Sequence, residues 1–138
     1  MPFTTTLLLS ETVAWGQSFS LTIGVQTSIG IAPILFYGNE EQHAKYLPKM
    51  VTGETKTCYC LTEPGAGSDA ASLSTTARRD GDHYVVNGSK TYITGGMNAN
   101  WFTTAVRTGG EGAGGVSALL IPADVEGVSR TALDKKQG

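Results

Sequence analysis

The chain has 138 residues, a formal net charge of −2, 16% charged residues and 18 glycines. That length suits one ordinary domain or parts of two, and the lack of any basic patch argues against a nucleic-acid partner. Met1-Pro2-Phe3 also lacks the basic start of a secretory signal peptide.

The first stretch, up to Val51, reads as helical. Leu8, Leu9, Val13 and Trp15 begin an apolar pattern that Phe19, Leu21, Ile23, Val25 and Ile29 continue, densely enough for helices buried on most sides. No charge occurs from Thr12 to Asn39, but Gln17, Ser18, Ser20, Thr22, Gln26, Thr27 and Ser28 interrupt the apolar positions. A spanning helix needs about 20 predominantly apolar residues, so no membrane span is expected here. Pro33 and Gly38 break the pattern. Asn39 then suits an N-cap, with Gln42 as its capping-box partner and Glu40 and Glu41 favourably placed in the first turn. Ala44, Leu47 and Val51 form one apolar face, and Pro48 should end or kink this helix near Leu47. His43, on the polar face, is expected to be solvated.

After Gly53 the period changes to alternation. Strands are expected at 56–62, 75–79, 83–87, 90–94, 101–107 and 116–121, with hairpin turns at Asp80-Gly81 and Asn87-Gly88. The pattern implies an antiparallel meander that closes into a small barrel or packs as two sheets. A flexible glycine-rich loop, Thr108 to Gly115, joins two of its strands. His83 starts a strand beside a turn and reads as a surface residue. Cys58 and Cys60 share one strand face, a spacing that suits buried, reduced thiols better than a disulfide or a zinc site. Leu133 to Gly138 carry no stop signal. The fold class is therefore α+β, and the chain reads as an excerpt: residues 1–53 end a helical domain, and residues 54–138 form most of a β domain.

The densest chemistry lies in Tyr59-Cys60-Leu61-Thr62-Glu63-Pro64-Gly65-Ala66-Gly67-Ser68-Asp69. Pro64 fixes its own φ and removes a donor, while Gly65 and Gly67 let a ligand approach bare backbone. Such a loop can turn N–H groups toward an anion. Gly65 to Ala70 formally fits a dinucleotide fingerprint, but that motif must open a helix within a βαβ unit, and here more strands follow. Asn87-Gly88-Ser89-Lys90-Thr91 only superficially matches a phosphate-binding P-loop. Glu63 and Asp69 suit pinning the loop to backbone N–H groups better than acid catalysis.

The run from Tyr59 to Asp69 resembles the signature of the acyl-CoA dehydrogenases, flavoenzymes that desaturate acyl thioesters. Asn87-Gly88-Ser89-Lys90-Thr91-Tyr92-Ile93-Thr94-Gly95-Gly96 resembles a second block of that family, at the matching separation. Asn100-Trp101 with the strand to Arg107, and Glu40-Glu41-Gln42 to Met50, extend the resemblance over most of the chain.

The resemblance implies N-terminal helices followed by a barrel-like middle β domain that carries FAD. Tyr59, Cys60, Leu61 and Thr62 would line the flavin, with Thr62 on its pyrimidine edge. Gly67 and Ser68 would approach the pyrophosphate, and Ser68 would also touch acyl-CoA. Tyr92, where many members carry Trp, would pack on the ring, and Ile93 and Thr94 would bond near its reactive nitrogen. Structurally, Thr62 and Thr94 could equally be strand threonines, Tyr92 a packing residue and Ser68 a cap. The catalytic base, a Glu, is expected in a C-terminal helical domain outside this chain, which by itself should be inactive. The implied partners are an acyl-CoA substrate, an electron-transfer flavoprotein and further copies in a tetramer, in bacterial cytoplasm or mitochondrial matrix. An acyl-CoA oxidase of the same fold, or a non-catalytic flavin- or CoA-binding relative, are the alternatives.

Overall fold

The protein is described by a computed structural model over residues 2–133; the run after Leu133 lies outside the described residues. Four helices come first: α1 (Phe3–Val13), α2 (Gln17–Thr27), α3 (Ala32–Tyr37) and α4 (Glu40–Val51). Five strands follow: β1 (Thr57–Cys60), β2 (Thr76–Asp80), β3 (His83–Asn87), β4 (Trp101–Arg107) and β5 (Val116–Pro122). The α+β class stands, but the sheet is open.

Helix α4 starts as its sequence dictates. Asn39 accepts from the Gln42 backbone N–H at 2.8 Å, and the Gln42 side chain accepts from the Asn39 N–H at 2.9 Å. Its end differs from expectation, because Pro48 lies inside the helix, which continues to Val51. One missing N–H so near the C-terminus removes a single helical bond, and burial of Met50 at 1% exposure holds the last turn. Pro33 likewise starts α3 instead of ending a helix; the break is the turn just before it. By length and composition Gln17–Tyr37 could cross a membrane, but that turn divides it into helices of 11 and 6 residues. Each is shorter than a bilayer requires.

The expected burial of the first helices is not found. Leu8, Trp15, Phe19 and Leu21 are all more than half exposed, and neither α1 nor α2 contains a buried residue. Apolar density fixes what a helix prefers to contact; among the described residues α1 lies beside α2, and α2 meets β1. Gln26 makes that attachment. Its amide donates to the Met50 and Thr55 carbonyls and accepts from the Thr57 N–H at 2.8 Å, tying α2 to α4 and β1. His43 is also not solvated: its Nε2 lies 2.9 Å from the Ile34 carbonyl, linking α4 to α3.

The sheet is mixed. β4 pairs in parallel with β1 along one edge, Thr57 opposite Trp101 and Cys60 opposite Thr104, and antiparallel with β5 along the other. β2 continues the first edge through Thr76 and Arg107, and β2 and β3 form a hairpin. A hairpin turn forms there, one residue further on than expected: Asp80 pairs with His83, so Gly81 and Asp82 are the central residues, and only Gly81, at φ +59°, takes a positive value. Residues 90–94, expected as a strand, are irregular, and no hairpin forms at Asn87-Gly88. Gly88 instead packs against Thr75 so closely that a Cβ would lie 2.6 Å from the Thr75 Cα. That approach carries the chain away from the sheet, and the meander is lost there.

Strand alternation assigns the two faces of the sheet. Trp101 and Leu120 pack with Ile31, Ile34 and Met50 beneath α3 and α4, with Tyr46 edge-on to Trp101 at 5.0 Å. Cys58, Cys60, Phe102 and Ile121 belong to the opposite face. A third cluster, Ala66, Leu73 and Ala105, anchors the glycine loop to β4. The 108–115 loop is held by Arg107, whose guanidinium donates to the Gly110 and Gly112 carbonyls, and also to Leu73 and Ala71.

Candidate functional site

The sheet face away from α3 and α4 opens into a cleft of about 1040 Å³. Cys60, Phe102, Thr104 and Ile121 form its floor, Pro64 and the Lys90-Thr91-Tyr92-Ile93 segment one wall, and the chain from Val125 to Leu133 another. Ligand sites are typically concave, mostly apolar and provided with a few fixed polar groups, and this cleft has that character. A smaller hollow of about 330 Å³ beside Trp101 and Arg130 contains none of the residues expected to bind a ligand.

The two sequence blocks meet at the cleft's edge. Thr91 donates its backbone N–H to the Thr62 carbonyl at 2.9 Å. Lys90 Nζ donates to the Leu61 carbonyl at 3.0 Å and to Glu63 Oε1 at 2.8 Å. Glu63 also accepts from the Ser74 N–H and hydroxyl through Oε2 and from the Thr75 N–H through Oε1. Both side chains of the ion pair are buried, Glu63 at 3% and Lys90 at 10% exposure. Burial alone would push the Glu63 carboxyl up, but Lys90, Thr75 and Ser74 together hold it well below the usual carboxylate range. Glu63 thus pins the loop as expected. At Asp69 the carbonyl, not the carboxylate, does the bonding, accepting from Ser72.

The glycine loop itself is tight. Glu63 and Ala66 exchange backbone bonds of 2.9 and 3.2 Å, leaving Gly65, Gly67 and Ser68 exposed at its tip. A side chain at Gly65 or Gly67 would meet nothing within 4 Å, so both are open to a ligand.

Of the expected site residues, Cys60, Tyr92 and Ile93 line the cleft. Tyr59 pairs with Thr103 and, by alternation, points to the opposite face from Cys60. Leu61 packs into the third cluster, with Ala66 and Leu73. Thr62 takes part through its backbone, Thr94 is half-buried beside the segment, and Gly67 and Ser68 stand apart at the loop tip. Tyr92 is 67% exposed at φ +57°, the one non-glycine residue with positive φ among those described. A bulky residue in that region costs about 1–2 kcal/mol, and such strain concentrates at ligand sites.

Lys90 is the residue that sequence reasoning missed. Its signal was a lone cation among small polar residues, at the position now seen to meet the glycine loop's acid. Arg130 was missed too; it crosses the 96–99 turn, donating to the Met97 and Ala99 carbonyls at 3.2 Å, and lies over the Phe102 ring. The cysteines are both free, with their sulfurs 3.7 Å apart. Bonding between them, reinforced by burial, pushes the Cys58 thiol up, and the same bond draws Cys60 down. Among the described residues no three His, Cys, Asp or Glu side chains gather as for a metal.

Residues 58–138 match the family model for the middle domain of acyl-CoA dehydrogenases, and residues 1–54 match the model for the N-terminal domain. A mitochondrial isobutyryl-CoA dehydrogenase of Dictyostelium discoideum is 52% identical over 103 residues, covering 74% of this chain and 25% of that protein. The crystal structure of an acyl-CoA dehydrogenase from Bacillus anthracis, complexed with FAD, superposes with a TM-score of 0.86 at 42% identity, over 94% of this chain and 22% of its own. A glutaryl-CoA dehydrogenase from Mycobacterium smegmatis, in complex with FADH2, gives a TM-score of 0.84 at 35% identity, over 92% of this chain and 32% of its own. This chain thus spans a third or less of each of these relatives.

Proposed function

The chain belongs to the acyl-CoA dehydrogenase family, and we propose that it is the part of such an enzyme that holds FAD against an acyl-CoA thioester. The observation that carries this reading is the stitching of Leu61-Thr62-Glu63 to Lys90-Thr91 at the edge of one cleft, with Cys60, Tyr92 and Ile93 inside it. A flavin needs a flat wall and a few fixed polar groups that tune its electronics. Tyr92 and Phe102 offer the wall, and backbone groups around Thr62 and Ile93 offer the polar contacts, so the residues present fit the cofactor.

In this reading Tyr59, Cys60, Leu61, Thr62, Tyr92, Ile93 and Thr94 hold the ring system, directly or through backbone. Gly67 and Ser68 serve the pyrophosphate, Ser68 also touching the acyl-CoA. When bound, FAD supplies the hydride acceptor for α,β-desaturation, the α proton leaving to a base. We assign no base in this chain: Glu63 is committed to its ion pair and Asp69 stands outside the cleft. Residues 1–53 are then the end of the N-terminal helical domain and residues 54–138 the flavin-binding middle domain. An electron-transfer flavoprotein as acceptor and assembly into a homo-oligomer complete the proposal. Bacterial and mitochondrial relatives make either compartment consistent with it.

The test is the visible spectrum of a polypeptide extended through the C-terminal region that the relatives possess, supplied with FAD, before and after anaerobic addition of acyl-CoA thioesters. Bound flavin that bleaches with one thioester supports cofactor and reaction together. Failure to retain FAD overturns the cofactor assignment, and retained flavin that never bleaches overturns the dehydrogenation. The 138-residue chain alone should give no turnover.

A further inference from the structure

We propose that Cys58 and Cys60 form a two-sulfur pincer that captures a monosubstituted trivalent arsenical, entering from the cleft. The two residues occupy alternate positions of β1, so their side chains stand on one face, in the cluster with Phe102 and Ala123. Their sulfurs lie 3.7 Å apart. Two bonds of about 2.3 Å from one central atom, meeting near the tetrahedral angle, span roughly that distance. The pair is therefore spaced for a one-atom bridge.

Other uses of two thiols fit less well. Two strand rises of about 3.3 Å each place the Cα atoms near the outer limit of disulfide geometry. A direct S–S bond would buckle β1, which is fixed residue by residue to β4. Zinc takes four ligands, and no third His, Cys, Asp or Glu completes a set among the described residues. A trivalent arsenical that carries its own organic substituent requires only two sulfurs.

The order of bonding follows from position. Both thiols are buried, but Cys60, at 5% exposure, borders the cleft, whereas Cys58, at 0%, lies behind it. The cleft-side thiol is also the one drawn toward thiolate, the form that attacks. With phenylarsine oxide, Cys60 sulfur bonds to arsenic first and Cys58 sulfur second. Two S–As bonds form, the arsenic–oxygen bond is lost, and the oxygen leaves as water with the two thiol protons. No electrons are transferred. Cys60 is also among the residues proposed above to hold the flavin, so the pincer is tested on the chain free of FAD, and failure of either proposal then leaves the other intact.

The probe is phenylarsine oxide, added to the native full chain and followed by intact mass. One phenylarsenic per chain is expected, with the loss of both free thiols. The adduct should persist in excess monothiol and be released by 2,3-dimercaptopropanol. Ring closure between two held thiols should lengthen its lifetime in monothiol about a hundred-fold over the Cys58→Ala adduct. Cys60→Ala should react only after denaturation. A wild-type adduct removed by monothiol, two arsenicals per chain, or reaction only in denaturant would each overturn the pincer. The wild-type measurements alone decide it, should either variant fail to fold.

Discussion

Lys90 Nζ lies 2.8 Å from Glu63 Oε1, and this contact joins the two segments that frame the cleft. Breaking a buried pair by removing one partner strands the other charge, at a cost of about 3–5 kcal/mol. Lys90→Met should therefore lower the denaturant midpoint sharply, by far more than loss of the exposed Lys49–Glu54 pair. Combining Lys90→Met with Glu63→Gln should recover part of the loss, because no unpaired charge then remains. Additive losses in that double variant would show that the two residues act separately.

Acid should reveal the same pair. The Glu63 carboxyl is held below its ordinary range in the folded chain, so the unfolded state takes up its proton first as pH falls. Its contribution is complete above the unfolded value of about 4.3 and is lost progressively below it. Stability measured between pH 7 and pH 2.5 should fall less steeply in Glu63→Gln than in the wild type. Parallel curves would remove Glu63 as a source of acid sensitivity.

Tyr92 sets stability against binding. Glycine tolerates the φ of +57° that tyrosine does not, so Tyr92→Gly should raise stability by about 1 kcal/mol. The same change removes an aromatic wall from the cleft, and FAD retention should weaken. A variant that gains stability and keeps its flavin affinity would leave Tyr92 without the proposed role.

Asn39→Ala removes one arm of a complete capping box and should cost about 1 kcal/mol in thermal unfolding. Asn39→Gly should cost only a few tenths. Equal losses would mean that the Asn39 side chain is not what holds the start of α4.

The capping box, the existence of the β2–β3 hairpin and the runs of alternation at β1 to β5 were legible because each is a local rule satisfied by neighbours in sequence. What was not legible depends on distant partners. Residues 90–94 alternate like a strand, yet Lys90 is drawn to Glu63, and Gly88 must slip past Thr75, so the segment leaves the sheet. The parallel pairing of β1 with β4 has no sequence marker, and neither does the choice of which helices receive a cover. At the site, the glycine loop and the Tyr92 segment stood out by composition. The burial of Lys90 and the turning away of Tyr59 needed the pairing of β1.

The parallel ladder between β1 and β4 also governs how the chain can fold. The β2–β3 hairpin closes over two residues and can form as soon as it is made. β1 must wait until the chain has run on from Cys60 to Trp101, with an extended excursion between. Contacts so far apart in sequence form late, because loop closure precedes any gain from pairing. Gln26 needs less of the chain, since its partners Met50, Thr55 and Thr57 are all made before β4. A nascent chain halted before Trp101 would carry a finished hairpin and a capped α4, but no floor beneath the cleft.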